Sequence, residues 1–178
     1  MARMSEHLQF PIGKFVEDRS VTPDKRKAWI AQIAAAPAAL RAAVAGLSDR
    51  QLDTPYRPGG WTVRQVLHHV PDSHMNAYCR YKFALTETNP TIKPYDEAAW
   101  AKIADTRGTP PDVSLALLEA LHRRWVVLLE SLTPDDFARP LQHPEKGAIT
   151  LDWMLQLYAW HGRHHAAHVT ELRKREGW

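Results

Sequence analysis

Cysteine occurs once in the 178 residues, as Cys79, so no disulfide can form within the chain, and this usage fits a reducing compartment. No apolar run approaches the ~18 residues that a membrane-spanning helix needs, and no signal-peptide apolar region is present. Both absences point to a soluble, cytoplasmic protein with no membrane partner. No GxGxxG or P-loop pattern occurs, which removes the common phosphate-cradling loops, and no internal repeat is visible. Charge of one sign is lacking too. The 23 Lys and Arg are interspersed with 20 Asp and Glu and form no long basic run, so the net charge of +3 does not imply nucleic acid. What remains is 44% hydrophobic residues in a length typical of one domain, read here as a single domain over residues 1–178.

The most informative stretch is Leu151–Leu172, LDWMLQLYAWHGRHHAAHVTEL. Leu151, Met154, Leu155, Tyr158, Val169 and Leu172 recur at helical spacing after Thr150, a residue suited to an N-cap. Four histidines ride on this helix: His161, His164, His165 and His168. His161 and His165 are four apart and stand one above the other, which is how one helix offers two imidazoles to one metal ion. On a helical wheel His165 falls within the apolar stripe and His161 on its shoulder. His168 lies further out and His164 most outward. The bland alternative is a helix whose histidines are solvated or bonded to carbonyls.

Earlier in the chain, residues 1–21 read as irregular, with His7 in that segment. Thr22-Pro23-Asp24 starts a helix that continues to about Gly46, with a kink predicted at Pro37. Ser48–Gln51 is a capping box for a short helical turn, and Thr62–Gln65 is a second one, opening a helix to about Glu87 that Pro71 should bend. Asn89–Pro111 is long and proline-rich, with one short helix at Glu97–Ala104, and reads as a lid or site wall. A third long helix begins at Asp112 or Ser114. Pro140–Gly147 reads as a turn or small hairpin containing His143. Four long amphipathic helices with short extras indicate an all-α four-helix bundle with a long connection between its second and third helices.

A catalytic metal site commonly uses three protein ligands and leaves one position open. The wheel for the second helix favours His74 as third ligand, then His69, and rejects His68. His122 is central on the third helix, where a lone histidine is more often a satisfied core residue. The runs PYRPGGWTVRQVLHHVPDSHMNAY, PYDEAAW, LHRRWVVLLESL and YAWHGRHHAAHVTEL, with the N-terminal FPIGKF and the final Gly-Trp, closely resemble the YfiT branch of the DinB-like metalloenzymes. The resemblance spans nearly the whole chain and departs from the pattern at Pro71, where such sequences commonly carry alanine. It implies an antiparallel four-helix bundle, a homodimer, and a metal held by His69, His161 and His165. It also implies an enzyme of one of two kinds: a metal-dependent hydrolase using water, or an S-transferase joining a bacillithiol-type thiol to electrophiles.

Three neutral imidazoles leave the ion its full charge, and zinc, nickel, iron and manganese all accept such ligands. The thiol transferase is the leading expectation. The metal-dependent hydrolase comes next, followed by a ferrous oxygen-dependent enzyme and a non-catalytic metal binder. Asp72 is a candidate for orienting His69 or acting as a base. Arg64, Arg80 and Arg163 are candidates for binding a thiol cosubstrate's carboxylates. Cys79 is read as helix packing rather than a nucleophile.

Overall fold

The structure, a computed structural model, describes residues 2–178, with side chains from Glu6 onward. Local signals place most elements. Thr22 accepts a hydrogen bond from the Lys25 amide and opens α2 (Pro23–Val44), after the short α1 (Ala2–Gln9). Ser48 and Gln51 cap α3 (Asp49–Leu52), and the reciprocal Thr62–Gln65 pair caps α4 (Val63–Thr86). Two short helices, α5 (Glu97–Trp100) and α6 (Ala104–Gly108), precede α7 (Pro111–Glu130) and the single turn α8 (Pro134–Phe137). The hairpin forms as β1 (Pro140–His143) and β2 (Gly147–Thr150), with Leu141 opposite Ile149. Thr150 then accepts from the Trp153 amide to start α9 (Leu151–Glu176), and Gly177 ends it in the left-handed conformation. Both α2 and α4 pass through their prolines without interruption. Ala2–Gln9, where irregular chain was expected, is helical.

The four long helices pack in the cyclic order α2, α9, α4, α7, so α2 and α4 lie across a diagonal. Paired residues give the directions. Arg26 binds Asp152 through two 2.7 Å contacts and Arg173 donates to the Ala43 carbonyl, so α2 and α9 run parallel. His68 meets Ser114 and His74 meets His122, so α4 and α7 run parallel as well. The antiparallel relation holds between these two pairs. Tyr81 donates to the Leu151 carbonyl while His69 meets His161, and Arg41 meets Glu119 while His122 meets Ile33. This explains the long connection after α4. To start α7 in the same direction the chain must return along the bundle, about 30 Å for twenty helical residues, and residues 87–110 make that climb.

On the way, residues 90–92 join the hairpin: the Ile92 amide donates to the Gln142 carbonyl and the Gln142 amide to the Pro90 carbonyl, both at 2.9 Å. Two apolar clusters fill the bundle. One holds Ile33, Tyr81, Trp125, Leu129, Leu141, Leu151 and Met154; the other holds Leu40, Val63, Leu67, Leu118, Val169 and Leu172. Each fully buried aliphatic side chain contributes about 1.5–3 kcal/mol. The histidines of α7 and α9 fall between the clusters, and there α2 and α9 approach closely. A Cβ on Gly162 would sit 2.8 Å from the Ala36 Cβ.

Candidate metal centre

His69 on α4 and His161 and His165 on α9 converge. Each offers one ring nitrogen, and these three atoms lie within 4.8 Å of one another. His69 Nε2 and His161 Nε2 are 3.4 Å apart, longer than a good nitrogen–nitrogen hydrogen bond and suited to two lone pairs aimed at one point. Burial holds all three rings neutral, the form that ligates. His69 is pushed down to about 4, and His161 and His165 fall well below the usual imidazole range. Nδ1 of His165 is buried with no hydrogen-bond partner among the described residues. Three neutral, convergent imidazoles fit a divalent transition metal and leave coordination positions free.

The trio lies against a cavity of about 460 Å³, within the usual range for small-molecule sites. Trp61 closes over His69 edge-on at 4.7 Å, and Trp153, Met154, Leu157 and Trp160 provide apolar wall. The charged lining is mostly cationic, with Arg57, Arg80 and Lys146 against Glu97. Partial burial pushes the Glu97 carboxyl above the usual carboxylate range, against the opposing pull of Arg80.

Of the other expected site residues, Arg80 lines the cavity. Arg64 does not. It is held by Asp53 at 2.7 Å and Asp49 at 2.8 Å, so its guanidinium is already neutralised on the α3 side of the bundle. Arg163 is exposed, donates to Gln32 and also lies off the cavity. Asp72 neither lines the cavity nor bonds His69 among the described residues. Burial and the Asp105 charge push its carboxyl up to about 6. Cys79 is exposed rather than packed, and away from the cavity.

The remaining histidines are more buried than a wheel suggests. His68 is enclosed and meets Ser114 Oγ at 2.7 Å. His164, read as the most outward, is 6% exposed because Trp160 stacks on it at 4.2 Å and Phe10 covers it at 5.9 Å. His168 donates from Nε2 to the Gln9 carbonyl and stacks on Tyr56 at 3.9 Å. The α1 region thus roofs this side of α9. His74, the wheel's first choice as third ligand, is outside the convergent trio. Its Nε2 lies 3.0 Å from His161 Nδ1 and its Nδ1 lies 2.7 Å from His122 Nε2. Sequence reasoning missed Arg57, Trp61, His143 and Lys146 as cavity residues. Glu97 falls in the connection expected to be a site wall, though the residue itself was not singled out.

The model of the DinB superfamily matches residues 32–169. The chain belongs to the DinB superfamily. It is 55% identical over 171 residues to a Bacillus cereus (strain 03BB102) protein named "Putative metal-dependent hydrolase", covering 96% of this chain and 98% of that one. A Bacillus anthracis (strain A0248) protein of the same name is 54% identical over the same length and coverage. Among solved structures, YfiT from Bacillus subtilis, described as a probable metal-dependent hydrolase with an unusual four-helix bundle topology, superposes with a TM-score of 0.94. It shares 50% identity, over 97% of this chain and 99% of that one. A second four-helix bundle protein, TT2238, has a TM-score of 0.55 at 19% identity and shares the fold; it covers 86% of this chain and 99% of that one. The names of these Bacillus relatives thus agree on metal-dependent hydrolysis, the four-helix bundle being described for YfiT, and among the described residues no helix is long and apolar enough to cross a membrane.

Proposed function

We propose that the chain is a cytosolic one-domain enzyme that uses a divalent transition metal, zinc or nickel first, held by His69, His161 and His165. Its reaction is transfer of a bacillithiol-type low-molecular-weight thiol onto an electrophile. The observation carrying this reading is the neutral three-histidine cluster facing a cavity whose charged lining is mostly cationic. Bound there, the ion supplies Lewis acidity that favours the deprotonated form of a thiol. Arg80 and Lys146 line the cavity and would hold the carboxylates of an anionic thiol, while Trp153, Met154 and Leu157 would give an apolar surface to the electrophile. The sulfur–carbon bond forms as chloride departs from an activated halide, or as an epoxide carbon–oxygen bond opens and its oxygen takes a proton. The proposed active form is a homodimer, with the exposed apolar side chains of α7, Val113, Leu117 and Val127, as the candidate contact. Light scattering reads that state directly.

The second reading is hydrolysis. It is favoured by Glu97, a carboxyl with raised proton affinity in the same cavity, able to accept a proton from water. Elemental analysis of the purified protein, paired with turnover of chloro-aromatic, epoxide and ester substrates with and without added thiol, separates the two. Transferase activity should require thiol and vanish in His69→Ala and His165→Ala. Ester turnover without thiol would move the assignment to hydrolase. Activity surviving in both variants with no metal bound would overturn the metal mechanism.

A further inference from the structure

His74 and His122 lie outside the ligand trio, yet they are joined to it by an unbroken row of short contacts that ends on the backbone of α2. From the core outward these are the Ile33 carbonyl to His122 Nδ1 at 2.7 Å, His122 Nε2 to His74 Nδ1 at 2.7 Å, and His74 Nε2 to His161 Nδ1 at 3.0 Å. His74 and His122 are 0% and 2% exposed, so water is a poor substitute for any of these partners. The row begins at an unusual point. In an α-helix the Ile33 carbonyl would accept from the amide of residue 37, but residue 37 is proline and has no N–H. Pro37 therefore leaves one carbonyl of α2 available, and His122 uses it.

A carbonyl can only accept, which fixes every proton in the row. His122 must carry its proton on Nδ1, and as a neutral ring it then has a bare Nε2. That nitrogen accepts from His74 Nδ1–H, leaving His74 Nε2 bare. His74 Nε2 in turn accepts from His161 Nδ1–H. What remains on His161 is a bare Nε2, the atom that lies 3.4 Å from His69 Nε2 in the candidate metal centre. The opposite arrangement fails at its origin. A proton on His161 Nε2 would require all three rings to switch together and would set a bare His122 nitrogen against the Ile33 oxygen at 2.7 Å. Gly162 flanks the row: a Cβ there would press on Ala36 at 2.8 Å but meet His74 Cε1 only in ordinary contact at 3.6 Å.

We propose that Pro37, Ile33, His122 and His74 form a tautomer-setting relay that presents His161 to the metal as an Nε2 donor. His122 and His74 are positioning residues, since neither contacts the ion. A partner that fixes the tautomer and orientation of a metal-binding histidine is commonly worth about 10–100-fold in metal affinity. The inference rests on the ligand set proposed above, and its two readouts are chosen to separate the failure of one from the failure of the other.

The test uses the full chain with Zn(II) as probe, in wild type, His122→Phe, His122→Gln and Pro37→Ala. Glutamine can accept from His74 and donate to Ile33, as the imidazole does; phenylalanine fills the space and does neither. Histidine nitrogen NMR on metal-free protein should show His161 bare at Nε2 in wild type and in His122→Gln. In His122→Phe it should show mixed or reversed tautomers. Zinc affinity from chelator competition should fall about 10–100-fold in His122→Phe and recover in His122→Gln. Pro37→Ala returns an amide that competes for the Ile33 carbonyl. It should lower zinc affinity while leaving the helix intact, and it decides the matter if His122→Phe does not fold. Unchanged tautomers in His122→Phe, or equal affinity losses in Phe and Gln, would overturn the relay and leave only packing. A wild type that binds no zinc but shows the stated tautomers would remove the metal reading and keep the relay.

Discussion

Taking the metal-free protein from about pH 7 to about pH 5 is expected to remove most of its stability, through histidines rather than carboxylates. Burial holds His69, His122 and His168 at about 4 and His164 at about 3 in the folded state, against 6.5 for an ordinary imidazole. A depressed folded value means that the unfolded chain takes up protons first as the pH falls through about 6.5. The stability is therefore present above that value and is lost below it. For each of these four groups, linkage over this interval amounts to about 2 kcal/mol, or about 7 kcal/mol together. Asp72, raised to about 6, works in the opposite direction and returns about 1 kcal/mol. His74, His161 and His165 are shifted the same way as the four and add to the loss. Against a typical total of 5–15 kcal/mol, about 6 kcal/mol is decisive. Urea titrations followed by far-ultraviolet circular dichroism, on chelator-treated protein at both pH values, measure it. Equal stability at the two values would mean that these imidazoles are not buried in neutral form.

Tyr81→Phe deletes the donor to the buried Leu151 carbonyl and should cost about 1–3 kcal/mol in urea titration while leaving zinc affinity unchanged. Gly162→Ala should be net destabilising by about 1 kcal/mol by the same titration. The 2.8 Å clash with Ala36 outweighs the roughly 1 kcal/mol by which alanine improves an exposed helix position, and a more stable variant would contradict the close approach of α2 and α9. On the proposed thiol-transfer reading, Arg80→Ala should raise KM for an anionic thiol about 10-fold at unchanged kcat, the signature of lost binding that is equal in ground and transition states. Steady-state kinetics in thiol concentration give both parameters.

Much of this fold was legible because it is encoded locally. The hydroxyl caps Thr22, Thr62 and Thr150 each start the helix their spacing announces, and the His161–His165 pair follows from helical geometry alone. What a helical stripe does not carry is direction, so the parallel α2–α9 and α4–α7 pairs could not be read from periodicity. Nor does a wheel know what covers a helix from outside. His68 looked exposed, yet it meets Ser114 of α7, and His164 and His168 are covered from the α1 side by Phe10 and Gln9. Arg64 was misplaced because its carboxylates come from Asp49 and Asp53. The acidic turn just upstream of α4 was the available signal. His74 looked like a ligand for a sound reason: it points into the cluster, one ring behind the trio. Choosing His69 instead came from family resemblance, not from the wheel.

The parallel seating of α2 against α9 also has a consequence for biogenesis. This is the most extensive helix pairing in the bundle, and it joins the first long helix to the last. Its contacts span well over a hundred residues of sequence, so they cannot form until α9 has been synthesised. The nascent protein emerges with the partner surface of α2 bare until α9, which bears two of the three imidazoles, has been made. Assembly of the His69, His161 and His165 cluster therefore waits for α9, the fourth long helix of the bundle.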